Sequence, residues 1–242
     1  MTWAQRHPAI AATLALLLVA ATVWAVGIGR LALSASSNAD YWSRPHGQSG
    51  GLLYVALGDS AAQSIGASQP AKGYVGLLAQ RMRDRTGQPV QVINLSRSGA
   101  RIRDVLDVQL PALTALGRAP DVVTVAIGGN DVRAYDRATF ADQADRLTAA
   151  LPAGTYVADA PYFMHGHWEA DAQQAADVLT ADAEARGLRP VALPEALRAQ
   201  GNRAMLTQFA ADWFHPNDRG HRVWADAFWE QLADDSAVTA AS

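Results

Sequence analysis

A three-layer α/β/α sandwich on a mostly parallel sheet, preceded by a membrane-spanning helix, is the architecture this sequence predicts. Three observations lead to it. From Leu52 to Leu232 short apolar runs alternate with longer helix-patterned ones, the arrangement that covers a parallel sheet on both faces. Glycine-containing polar segments follow three of the short runs, where such a sheet gathers its ligand-binding loops. An uncharged apolar run, Ala9–Gly29, stands ahead of all of them.

That first run is 21 residues long, about what a helix needs to cross a ~30 Å hydrocarbon layer. Arg6 and His7 precede it, which favours a cytoplasmic N-terminus under the positive-inside tendency. An uncleaved single-pass anchor with the remaining chain outside the cytoplasm is the preferred expectation. The alternative is a signal peptide cut at Ala32-Leu33-Ser34, followed by secretion. Ser34–Gly51 is polar and rich in Ser and Gly, so it is expected to be a tether. The predicted organisation is residues 1–8 as cytoplasmic tail, 9–33 as anchor or signal peptide, 34–51 as linker, 52–235 as one catalytic domain and 236–242 as a flexible tail.

Within that domain Leu52–Leu57 predicts a buried strand ending at Gly58, and Tyr74–Arg85 a helix with Val75, Leu77, Leu78 and Met82 inward. Val90–Leu95 is a second strand. Val105–Leu116 is helical, with Pro111 expected to kink or divide it. Val122–Ile127 is the third strand and Phe140–Leu151 a helix. Thr155–Ala158, Ala170–Ala185, Pro190–Leu193 and Asp218–Leu232 continue the alternation to the last helix.

The 242 residues are 50% hydrophobic and 18% charged, enough for a substantial core, and the net charge of −3 provides none of the clustered basic charge that nucleic acid demands. With no cysteine, disulfides, thiolate metal sites, cysteine nucleophiles and a lipidated N-terminal cysteine are all excluded.

Four segments carry the chemistry: Gly58-Asp59-Ser60, Ser98-Gly99, Gly128-Gly129-Asn130-Asp131 and Asp212-Trp213-Phe214-His215. A serine nucleophile needs a base for its proton, an acid to orient that base and donors for the developing oxyanion. Ser60, Gly99 and Asn130 each follow a strand end, so a hydroxyl, a loop amide and a carboxamide converge on one rim. Asp212 and His215 lie three residues apart before Pro216, a spacing that one turn closes. Asp212 would hold the Nδ1 proton, leaving Nε2 to take that of Ser60. No single segment suffices; their order is the signal.

These segments, with Pro216, resemble the blocks of the SGNH hydrolases, also called the GDSL esterase/lipase superfamily, across the whole part that follows the linker. The resemblance implies a flavodoxin-like sandwich, a Ser60-His215-Asp212 triad, an oxyanion hole from the Ser60 and Gly99 amides and the Asn130 side chain, and no metal or organic cofactor. Ala61-Ala62 departs from the residues common after the family's serine.

Asp131, Phe163 and Trp213 are candidate substrate-binding residues. Asp131 and Arg133 form either a local ion pair or a substrate contact. His165 and His167 lack a convincing third metal ligand and read as a surface or pocket-rim feature, so no metal is expected. His221 is expected to be structural. Trp213, Phe214, Trp224, Phe228 and Trp229 are expected to pack the last helix on the sheet, a membrane-facing patch being the lesser reading. The predicted function is hydrolysis of a small-molecule, lipid or glycan carboxylic ester. Acyl transfer or deacetylation on a cell-envelope glycan or lipid is the alternative, and a non-catalytic binding module the third. Neither the ester nor the oligomeric state follows from the residues.

Overall fold

The computed structural model describes residues 3–159 and 168–239. Among them six strands, β1 (His46–Gly47), β2 (Leu52–Gly58), β3 (Val90–Asn94), β4 (Val122–Ala126), β5 (Tyr156–Ala158) and β6 (Arg189–Val191), form one sheet in the order β1-β3-β2-β4-β5-β6. β1 runs antiparallel to β3, and all other neighbours are parallel.

Every residue of β2 is buried, as its unbroken apolar sequence requires of a central strand covered on both faces. The two-residue period divides its side chains between two cores. Leu52, Tyr54 and Ala56 join residues of the helices Tyr74–Thr86 and Asp218–Leu232, including Leu78, Met82, Trp224 and Phe228. Leu53, Val55 and Leu57 join Phe140, Leu147 and Leu179 from the helices Arg137–Ala150 and Trp168–Ala185. After β2 the chain crosses to β3 on one side, and it later returns to place β4 on the other. The carboxyl ends of β2 and β4 therefore flank the point where connections diverge, which is where open α/β sheets bind ligands.

The predicted α/β/α class is the observed one, and the last helix begins and ends at the predicted residues. The expected tether is different. The N-terminal helix runs from Pro8 to Trp42 without a break, and residues 46–47 form the edge strand β1. Tertiary contacts overcome the weak helix preference of Ser34–Ser37: the Asn38 amide donates to the Gln63 and Ser64 carbonyls at 3.0 Å each, and Trp42 is buried. The tail expected to be flexible also packs, with Val238 fully buried in the first core.

Two further differences are local. The fifth predicted strand ends at Val191 instead of Leu193, because Leu193 starts a short helix, Leu193–Arg198. Pro111 stands in the first turn of the segment Leu110–Thr114, and the change of helix type falls upstream of it, in a π-helical stretch, Val105–Gln109.

Candidate active site

The loop that carries Ser60 leaves β2 under close constraint. Gly58 has φ +144°, and a Cβ there would come within 2.3 Å of the Ala126 carbonyl oxygen. A side chain would therefore push the loop away from β4. The Gly58 N–H donates to Gln109 Oε1 at 2.8 Å, and Gln109 Nε2 donates back to the Gly58 carbonyl at 2.8 Å. The π-helical stretch ends on this buried glutamine, which thus grips the peptide two residues before the serine. Asp59 closes the turn by accepting the Ala61 N–H at 3.0 Å. Gln63 joins this loop to the next: its Nε2 donates to the Ser96 carbonyl, and its Oε1 accepts the Ser98 N–H at 3.0 Å and the Ser98 hydroxyl at 2.7 Å. The Ser60 and Gly99 segments are thereby fixed to one another.

The His215 loop is folded on itself. Phe209 pairs with Pro216 in a single antiparallel bridge, and the Ala210 N–H donates to the His215 carbonyl at 2.8 Å. Asp212 Oδ1 accepts the N–H groups of Phe214 and His215, each at 3.1 Å. The other oxygen, Oδ2, lies 2.5 Å from His215 Nδ1, and His215 Nε2 lies 2.9 Å from Ser60 Oγ. These partners assign the tautomer: Nδ1–H donates to the carboxylate and Nε2 accepts the serine hydroxyl. Gly66 lets the two loops approach, since a Cβ on it would come within 2.2 Å of the Pro216 carbonyl oxygen.

A cleft of about 560 Å³ opens over this pair, with Ser60, Gly99, Asn130, Asp212 and His215 in its walls. The Asn130 amide donates to the Ala100 carbonyl at 3.0 Å and lies 3.5 Å from Asp59 Oδ2. The sequence-predicted side chains of Ser60, Asn130, Asp212 and His215 are thus brought to one place, with the Gly99 backbone.

The carboxylates near the site titrate differently. Burial raises the Asp212 carboxyl, but the hydrogen bonds and charge of His215 outweigh it and hold the group below the ordinary value. Asp59 is pushed up to about 6 by burial, against the opposing pull of the Ala61 N–H and the His215 charge. Asp131 is also raised to about 6 by burial. Its Oδ2 accepts the Ile102 N–H at 3.3 Å, so this candidate substrate contact anchors a neighbouring segment. It makes no ion pair with Arg133, whose guanidinium lies about 6 Å from the rings of Trp168 and Phe214.

Trp213 sits in the cleft wall, 43% exposed and in the left-handed region at φ +56°. It departs from the expected aromatic cluster, of which Trp224 and Phe228 are buried under the last helix and Trp229 partly so. Phe163, His165 and His167 lie outside the described residues. His221 is fully buried: Nδ1 accepts the Tyr74 N–H and Nε2 donates to the Ile65 carbonyl at 3.1 Å. Burial pushes it down to about 4.

Sequence reasoning missed Gln63, Gln109 and Gly66. The signal for Gln109 was a lone amide between Val108 and Leu110 in an apolar helical pattern; nothing local pointed to its partner.

The sequence model of the GDSL-like Lipase/Acylhydrolase family matches residues 56–223. GDSL-like esterase Rv1075c of Mycobacterium tuberculosis is 25% identical over 193 residues, covering 74% of this chain. The chain spans only 61% of that protein's length. Among solved structures, LAE5, an alpha/beta hydrolase enzyme from the metagenome of Lake Arreo, Spain, is 25% identical with a TM-score of 0.61, covering 76% of this chain and 95% of that one. The acetylxylan esterase Axe2 of Geobacillus stearothermophilus shares the fold at 21% identity and a TM-score of 0.56, over 76% of this chain and 95% of its own.

Proposed function

From the premise that this chain belongs to the GDSL-like lipase/acylhydrolase family, we propose that it is a serine esterase using Ser60, His215 and Asp212. The observation that carries the reading is the continuous relay Oγ to Nε2 at 2.9 Å and Nδ1 to Oδ2 at 2.5 Å. Ser60 Oγ attacks an ester carbonyl while Nε2 takes its proton. Asp212, ionised because its pKa is lowered, stabilises the imidazolium. The oxyanion is received by the Ser60 and Gly99 N–H groups and the Asn130 amide. Collapse expels the alkoxide, which leaves as alcohol with the proton from His215. Water, deprotonated by the same imidazole, then releases the acid and restores the serine.

The helix Pro8–Trp42 supports a second element of the reading. Its most apolar 18-residue window is 0% buried, so it serves as the membrane anchor, with the catalytic domain outside the cytoplasm.

The test is Ser60→Ala in the full chain. Hydrolysis of a p-nitrophenyl ester falls by at least about 10⁴-fold, and labelling by a fluorophosphonate disappears, with the thermal transition retained. Near-parental turnover by a folded Ser60→Ala protein would refute the assignment.

A further inference from the structure

The N-terminal helix changes its environment along its length. Its large side chains are open as far as Trp24, Leu14, Leu18 and Val23 all being more than half exposed. From Trp24 onward one face meets the catalytic domain. Trp24 Nε1 donates to the Ala211 carbonyl at 3.0 Å, and a Cβ on Gly27 would stand 2.7 Å from that of Ala211. Ile28, Leu31 and Ala35 line the cleft that holds Ser60 and His215, and Asn38 bonds the Ser60 loop. Contacts at 24, 27, 28, 31, 35 and 38 keep the three-to-four-residue spacing of a single helix face.

The freely exposed part, Pro8–Val23, reaches about 24 Å at ~1.5 Å per residue, short of a ~30 Å hydrocarbon layer. The uncharged run completes the crossing only by including Trp24–Gly29. Those residues are also the ones that touch the Ala211 loop and the cleft. A helix that spans must therefore hold the cleft mouth at the bilayer surface. The surface beside it suits that position. Leu206 is 71% exposed and Trp213 43%, while Arg30, Arg219 and Arg222 share a groove with Gly27 and Leu206, where lipid phosphates would meet them.

We propose that the chain's own membrane helix forms one wall of its active site, and that the substrate is an ester of a lipid-like amphiphile, attacked while it remains in the bilayer interface. The proposal rests on the Ser60 and anchor readings above. Because the sequence has no cysteine, one introduced thiol reports one position. The full chain carrying Leu206→Cys, labelled with an environment-sensitive fluorophore, is to be reconstituted in phosphatidylcholine/phosphatidylglycerol vesicles. Asp84→Cys, at the exposed far end of the helix Tyr74–Thr86, is the reference. The Leu206 label shifts to the blue on reconstitution and the Asp84 label does not. In parallel, Leu206→Asp lowers hydrolysis of a vesicle-borne palmitate ester at least about tenfold more than that of soluble p-nitrophenyl acetate. Identical emission at both sites, or equal changes for both esters, overturns the proposal and leaves the Ser60 reading standing. A parental chain that neither turns over p-nitrophenyl acetate nor takes up fluorophosphonate removes both.

Discussion

The two loops that meet at the Ser60–His215 hydrogen bond are held by opposite means. The loop after β2 depends on partners far away in the chain: Gln109 grips Gly58, Asn38 bonds two of its carbonyls, and Gln63 ties it to Ser98. The loop from Phe209 to Pro216 is closed mainly from within, Asp212 accepting two backbone N–H groups and the ring Nδ1–H within three residues, and Trp24 bonds its Ala211 carbonyl from outside. Ser60 is thus positioned by the whole fold, whereas Asp212 and His215 are joined chiefly by local hydrogen bonds. Damage to the first loop should appear in stability and turnover together, and damage to the second in turnover alone.

The sharpest test of that difference is Asp212→Asn. Asparagine keeps an oxygen for the Phe214 and His215 N–H groups, so the loop retains its shape. Its amide cannot accept the Nδ1 proton, and the imidazole is pushed into the wrong tautomer for taking the proton of Ser60. The expected result is a fall in kcat of about 10³–10⁴ with the unfolding midpoint within a few degrees of the parent. A collapse in stability would show that the loop is not self-sufficient.

Gln109→Leu probes the other side. The substitution keeps apolar bulk but leaves the buried Gly58 N–H without its acceptor, while the Gly58 carbonyl still receives the Arg97 N–H at 3.2 Å. An unsatisfied buried donor costs about 1–3 kcal/mol. A slightly displaced Ser60 lowers kcat on the order of tenfold, since reacting groups tolerate little misplacement. Urea unfolding and steady-state kinetics on one preparation separate the two effects. Full stability with lost turnover, or the reverse, would break the coupling assigned to this loop.

The same contrast explains how much was legible in the sequence. Strand and helix order followed from apolar periodicity, and the last helix was predicted to its end residues because Asn217 caps it and its inward stripe is unambiguous. Asp212 and His215 were readable because their interaction is local. Gln109 meets Gly58 from 51 residues away, Gln63 meets Ser98 from 35, and Asn38 meets Gln63 from 25. No local pattern encodes such pairs. For the same reason Ser34–Trp42, polar by composition, was expected to be a tether although burial of Asn38 and Trp42 makes it helix. Asp131, read from the sequence as either an ion-pair partner of Arg133 or a substrate contact, accepts the Ile102 N–H from another segment, which no local pattern encodes.

Asp59 belongs to the Ser60 loop, yet its charge reaches the histidine, so it tests whether the two loops are electrically as well as mechanically joined. Burial raises its pKa to about 6, so the folded protein holds it neutral below that pH and ionised above it. On the proposed mechanism, an anion there favours the imidazolium that forms as Ser60 attacks, and the neutral acid does not. Asp59→Asn preserves the oxygen that accepts the Ala61 N–H and stays neutral throughout. The ratio of parental to variant kcat/KM should therefore be near 1 at pH 5 and rise through pH 6 to about three- to tenfold at pH 8, the equivalent of one charge acting with partial screening. The measurement is kcat/KM for a soluble ester against pH in both proteins. A ratio that stays flat across pH 5–8 would mean that Asp59 serves only to shape the turn, and that the histidine loop receives its electrostatic help from Asp212 alone.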